Sequence, residues 1–295
     1  MDYEPSASGV TRYRALFISD VHLGTRDSKA ALLRDFLASS RCETLYLVGD
    51  IIDGWRLRRS WFWNDDHDSL LRLILQMAAS GTEVIYIPGN HDEMFRSWLP
   101  LGLKIASIRM QERAIHEAAD GRRFVVLHGD EFDSVVRCAP MLAHLGDWAY
   151  ALALWLNRYL AAIRRRLGLP YRSFSAWAKR HVKEAVKAVD RFEEALAQEA
   201  KRCGAAGVIC GHIHTPEIRT IDGSLYMNTG DWVESCSGLA ETMDGRFILV
   251  SGLEEQRHPG ALPFRRAPRS RSGEAFADES VPGDPWPRPA LTPAA

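Results

Sequence analysis

The stretch Leu45-Tyr46-Leu47-Val48-Gly49-Asp50-Ile51-Ile52-Asp53 decides how this chain reads. A β-prone apolar run halts at Gly-Asp, which sets a carboxylate where strand gives way to loop. In α/β sheets, ligands collect at the edge beyond the carboxyl ends of the strands. One such aspartate carries little information. Four other strand-like runs end in the same manner, however. Leu16-Phe17-Ile18 runs into Ser19-Asp20-Val21-His22, and Val84-Ile85-Tyr86-Ile87 into Pro88-Gly89-Asn90-His91-Asp92. Phe124-Val125-Val126-Leu127 leads to His128-Gly129-Asp130, and Val208-Ile209-Cys210 to Gly211-His212-Ile213-His214. These runs deliver Asp, Asn or His to one edge, and such side chains are hard or borderline metal ligands.

Between the motifs the chain alternates strand and helix patterns as far as Asn90, which predicts a layered α/β fold. Helical spacing covers residues 28–38, with Ser28 as N-cap, and a second helix runs through Leu70, Ile74 and Met77. Asp66 or Asp68 is its expected cap and Gly81 its end. The cluster Trp61-Phe62-Trp63 reads as core or lid rather than a cofactor box. From 134 to 202 no strand signal appears and helical spacing dominates. Leu145, Trp148, Leu152, Trp155, Tyr159 and Ile163 follow i+3/i+4 steps, but other faces of this helix are apolar too, so it lies buried or against lipid. A further helix at 173–201 carries the seam Ala178, Val182, Ala185, Val189, Phe192 and Leu196. On it, Lys179, Lys183 and Lys187 share one face. Between Arg158 and Lys187 there are nine Lys or Arg and one acid, Glu184. This basic face reads as an anion site, and with Asp133 the three lysines make the candidate substrate-binding set.

The expected organisation is a core of residues 13–133 and 203–253 interrupted by a helical insertion at 134–202. Residues 1–12 and 255–295 read as disordered, the latter holding eight of the 14 prolines. The whole is long enough for a sizeable core, with 46% hydrophobic and 25% charged residues. A net charge of −1 gives no global pull toward nucleic acid. Five cysteines without a C-x-x-C pair read as free thiols in a reducing compartment. With no secretory signal and no apolar run of membrane-spanning length, the expected location is cytoplasmic.

Seven candidate ligands result: Asp20, His22, Asp50, Asn90, His128, His212 and His214. Their mixed O and N donors suit Mn²⁺, Fe or Zn²⁺, and they are too many for one ion. With one shared carboxylate they make two four-donor sites, the arithmetic of a two-metal phosphoryl-transfer centre. Mn²⁺ is the expected ion.

The ordered series Asp20-x-His22, Gly49-Asp50-x-x-Asp53, Gly89-Asn90-His91-Asp92, His128-Gly129-Asp130 and Gly211-His212-x-His214 resembles the calcineurin-like metallophosphoesterases. That resemblance implies two packed mixed β-sheets flanked by helices. It implies one metal held by Asp20, His22, Asp50 and His214, and another by Asp50, Asn90, His128 and His212. His91 matches the family's histidine that stabilises the phosphoryl group and protonates the leaving oxygen, and Asp53 the carboxylate that orients it. Within the family the chain is most similar to the UDP-2,3-diacylglucosamine diphosphatase branch, on the early His128-Gly-Asp, the helical insertion and Gly230-Asp231-Trp232. That branch has arginine in place of His91 and glutamate in place of Asp53. The resemblance therefore implies hydrolysis of a phosphoester or pyrophosphate, in a lipid-linked substrate or in a soluble nucleotide or sugar phosphate. A non-enzymatic membrane-binding scaffold is the remaining reading. The basic cluster Arg164-Arg165-Arg166 after an aromatic-rich helix predicts peripheral contact with an anionic membrane at the inner face.

Overall fold

In this computed structural model, residues 10–101, 107–132 and 174–253 are described. The apolar runs that precede the ligand motifs form the middle of two sheets. β1 (Thr11–Ile18), β2 (Ser40–Val48) and β3 (Glu83–Ile87) pair in parallel, and Ile18 sits opposite Leu47 as Val48 sits opposite Ile87. Matched registers bring all three strands to an end at one edge. Beside β3 lies the short β4 (Arg109–Met110). Beyond β1 lie the antiparallel β10 (Ser237–Thr242) and β11 (Phe247–Ser251), so the sheet order is β11-β10-β1-β2-β3-β4.

The second sheet is ordered β5-β6-β7-β9-β8. Its strands are β5 (Ala114–Glu117), β6 (Arg123–Val126), β7 (Gly207–Cys210), β8 (Glu217–Ile221) and β9 (Ser224–Asn228). β6 and β7 run parallel with Val126 opposite Ile209, so His128 and the Gly211-His212 turn emerge together.

Strand alternation sorts the core. Phe17, Tyr46, Val48, Ile85 and Ile87 point toward the second sheet and meet Phe124, Val126, Ile209 and Met227. Leu16, Ile18, Leu45 and Leu47 point the other way, onto α1 (Ala30–Ala38) and α3 (Asp65–Ala79), which contribute Leu33, Leu37, Leu70 and Ile74. The short α2 (Gly54–Arg59) lies between those two helices in the chain. On the far side, α4 (Phe174–Arg202) lays Phe192, Leu196 and Ala200 on β7 and β9, against Val208 and Tyr226. Two mixed sheets flanked by helices is the architecture the sequence implied.

Three details differ from the sequence reading. Lys29, not Ser28, occupies the N-cap of α1, and no side chain caps that helix. Asn64, rather than Asp66 or Asp68, caps α3 by accepting from His67 N at 3.0 Å. Core packing also reaches back before 203, because Phe192 and Leu196 are fully buried under the second sheet. The Trp61-Phe62-Trp63 cluster divides: Trp63 packs on the core while Trp61 stays exposed. The first insertion helix, Arg164–Arg166, Asp133 and the end segments 1–9 and 254–295 lie outside the described residues, as do the side chains of Lys179, Lys183 and Lys187.

Candidate metal centre

Backbone bonds first lock the loops that leave the strands. Asp20 N donates to Gly49 O at 3.0 Å and His22 N to Asp50 O at 2.9 Å, which ties the first motif to the second. His91 N donates to Asp50 Oδ1 at 2.8 Å, adding the third, and His212 N donates to Asp20 Oδ2 at 3.0 Å, adding the last. Five of the residues so placed have left-handed backbone: Asp20 at φ 52°, His22 at 51°, Asp50 at 54°, His212 at 71° and His214 at 53°. A non-glycine residue held there costs on the order of 1–3 kcal/mol, and such outliers gather at functional sites. Glycines make room beside them. A Cβ on Gly49 would strike the His128 ring, and one on Gly89 would strike Asp50 Oδ1.

The side chains then converge in three groups, one of them His22, Asp53 and His91. Asp20, His22 and His214 offer donor atoms within 4.8 Å of one another, and so do Asp50, His128 and His212. Asp20 Oδ1 lies 3.2 Å from His214 Nε2. Asp50 Oδ2 is 3.5 Å from His128 Nε2 and 4.0 Å from both His22 Nε2 and His91 Nε2. Asp50 therefore stands between the groups. His128 Nδ1 contacts Val48 O at 2.9 Å, which fixes the tautomer and turns Nε2 inward.

Asp53 serves two histidines. Its Oδ2 lies 3.1 Å from His91 Nδ1 and 3.4 Å from His22 Nδ1, while Oδ1 caps α2 by accepting from Arg56 N at 2.8 Å. A capped, rigid carboxylate thus orients both rings. Asp92, to which the sequence reading gave no role, is fully buried beneath the site. It accepts from Ile51 N at 2.9 Å, Gly89 N at 2.5 Å and Tyr86 Oη at 2.5 Å, and so pins two ligand loops together. Its place in Gly89-Asn90-His91-Asp92 was the only signal available. Ser19 is a second omission: its hydroxyl contacts Thr229 Oγ1 at 2.6 Å and donates to Asp20 Oδ2.

Electrostatics tell how the site is poised. Burial would raise the Asp50 carboxyl, but His128 beside it wins and holds it at about 2. Asp20 goes the same way, held below the usual carboxylate range by His214 against its burial. Burial opposes protonation of His128 and His214, yet Asp50 lifts His128 to about 10 and Asp20 lifts His214 to about 9. The pocket is built to hold positive charge. Five of its atoms, Asp20 Oδ1, His22 Nε2, Asn90 Oδ1, His91 Nδ1 and His128 Nε2, are buried without a hydrogen-bond partner. Unsatisfied buried polar atoms cost free energy. Such O and N donors fit divalent cations.

Six of the seven predicted ligands, Asp20, His22, Asp50, His128, His212 and His214, thus come together where strands of the two sheets end, with His91 and Asp53 against them, and Asn90 Oδ1 is buried without a partner. This chain belongs to the calcineurin-like phosphoesterase family, whose model matches residues 13–216. It is a hydrolase of the metallophosphoesterase class, using divalent metal ions. Among its relatives is a UDP-2,3-diacylglucosamine hydrolase of Pseudomonas putida, 25% identical over 235 residues, spanning 74% of this chain and 90% of that one. Another, of the same name and from Azotobacter vinelandii, is 28% identical over 233 residues with the same coverage. Among solved structures, an archaeal phosphodiesterase matches with a TM-score of 0.41 and 13% identity over 80% of this chain and 98% of its own.

Proposed function

We propose that this protein is a dinuclear hydrolase cleaving a phosphoester or pyrophosphate bond in a lipid-linked nucleotide such as UDP-2,3-diacylglucosamine. The observation that carries the dinuclear reading is the position of Asp50 between two donor groups with orphaned atoms. Asp20, His22, Asp50 and His214 would hold one ion, and Asp50, Asn90, His128 and His212 the other, with Mn²⁺ the ion proposed. Bound there, such ions supply Lewis-acid polarisation of the phosphoryl oxygens. The chain's own residues do the rest. Asp53 holds the Nδ1 side of His91, leaving Nε2 turned toward Asp50 and the reacting phosphorus. Half-buried, with burial opposed by Asp53 and Asp50, which draw its pKa upward, His91 is placed to pass a proton to the leaving oxygen.

The lipid-linked substrate is supported by the relatives' names and by their near-complete coverage. Lys179, Lys183, Lys187 and Asp133 are the proposed substrate contacts, and the insertion the proposed membrane contact. No helix among the described residues is long and apolar enough to cross a membrane. A soluble nucleotide is the second reading, favoured by His91 standing where the resembling branch has arginine. Hydrolysis of UDP-2,3-diacylglucosamine and of bis-p-nitrophenyl phosphate, each with Mn²⁺, decides between them. Turnover of the lipid nucleotide at the higher kcat/KM is the expected result. Turnover of the small diester alone overturns the lipid reading and leaves the soluble one. Replacing Arg164, Arg165 and Arg166 with Glu should reduce sedimentation with anionic liposomes while sparing the small-diester rate.

A further inference from the structure

Among the described residues three tryptophans are exposed, Trp55, Trp61 and Trp98, and of these only Trp55 is in ring contact with a residue of the site. Its ring centroid lies 4.4 Å from that of His91 at an interplanar angle of 36°. The indole nevertheless remains 44% exposed. It is not a loose surface side chain. Its Nε1 donates to Glu93 Oε1 at 3.3 Å. The backbone beneath it is fixed on both sides, since Gly54 N donates to His91 O at 2.9 Å and Asp53 caps the following turn. Gly54 itself must be small, because a Cβ there would press on His91 O at 3.0 Å. An aromatic plate is thus clamped at the mouth of the phosphoryl site. Its edge is polar, with Glu93 bonded to the indole and exposed Arg56 next in the chain. An acyl chain can cover the indole face but makes no use of this polar edge. A planar, polar heteroaromatic ring gains from both stacking and edge contacts.

We infer that Trp55 is a base-stacking platform, and that it receives the nucleobase of a nucleotide substrate whose phosphates lie at Asp50 and His91. This deepens the nucleotide reading above and rests on it. No element of the ligand set reads the nucleoside. Trp55 gives the site a means of distinguishing a nucleotide from a phosphate ester of similar charge.

The test compares two phosphates that differ by the base. Binding of UMP and of ribose 5-phosphate to the Mn²⁺-loaded full chain is measured by calorimetry for wild type, Trp55→Ala and Trp55→Phe. Alanine substitution of a base-stacking aromatic typically removes about 5- to 150-fold in affinity. Wild type should therefore bind UMP tighter than ribose 5-phosphate by about that ratio. Trp55→Ala should bring the two together by weakening UMP alone, and Trp55→Phe should keep part of the difference. Equal affinities in wild type overturn the platform, as does an unchanged ratio in Trp55→Ala. Equal weakening of both ligands overturns it too, showing that Trp55 only steadies His91. If UMP selectivity holds while UDP-2,3-diacylglucosamine is not cleaved, the lipid reading fails and the base platform stands.

Discussion

Two buried histidine–carboxylate pairs in this molecule have opposite characters. His116 on β5 meets Glu241 on β10 at 2.9 Å and so joins the two sheets, much as His128 meets Asp50 at 3.5 Å across the same gap. Around His116 every polar atom is occupied. Glu241 also accepts from Ala119 N at 2.7 Å and Arg14 Nε at 3.3 Å, and His116 Nδ1 contacts Tyr46 Oη at 3.3 Å. With its charge shared in this way, Glu241 cannot outweigh the burial of His116, whose pKa falls. At the sheet edge the reverse holds, and His128 rises to about 10. The difference lies in the surrounding charge, since Asp50, Asp20 and Asp130 all draw His128 upward while His116 has Glu241 alone, with Arg14 opposing it. A complete network rigidifies a fold, whereas an incomplete one of the same side chains is a place for a cation.

The largest effect should come from emptying the second network. Asp50→Asn should lose most bound metal and nearly all activity, because one residue stands between both groups; elemental analysis finding two metals per chain in that variant would break the bridging assignment. Next in size is proton transfer. His91→Ala should keep both metals and lower kcat by ~10²–10⁴. Asp53→Ala should act through the same ring, so the double variant should lose less than the product of the singles. Since Asp53 also touches His22, Asp53→Ala should weaken metal binding where His91→Ala does not; equal metal affinities in the two would separate Asp53 from His22.

The structural network should respond in the opposite sense. Glu241→Gln should cost about 1–3 kcal/mol in urea unfolding, the usual worth of a buried bond left unmade. Metal content and kcat should not change, and a lost metal would show that the two regions are coupled.

The smallest effect is a pH dependence. In chelator-stripped protein, His128 and His214 are raised to about 10 and about 9. Their protonation therefore stabilises the fold fully below the unfolded pKa, about 6.5, and this contribution fades as pH rises through 9 and 10. Metal must displace the same protons, so metal affinity should fall as pH drops. Opposite pH slopes for stripped and loaded protein check this, and parallel slopes sink it.

The sequence made the site more legible than the fold's margins. Each ligand motif follows a run of buried apolar residues, and that contrast of apolar strand and polar stop survives without coordinates. The edges lack it. β8 has no fully buried residue and β4 is two residues long, so neither shows a period to read. The cap of α3 went to Asn64 because helix onset is a backbone event that several nearby Asp residues mimic in composition. The double role of Asp53 was invisible for another reason. Spacing gives which residues share an edge, but the 3.4 Å approach of His22 to Asp53 depends on how two loops fold over each other.

The left-handed backbone at Asp20, His22, Asp50, His212 and His214 has a consequence for how such a chain can drift. Glycine adopts that conformation at less cost than aspartate or histidine does. Each ligand is thus held against a local gradient that favours its replacement. In a lineage where hydrolysis no longer matters, loss of the centre would be downhill, with each substitution relaxing the backbone while the two sheets beneath stay intact.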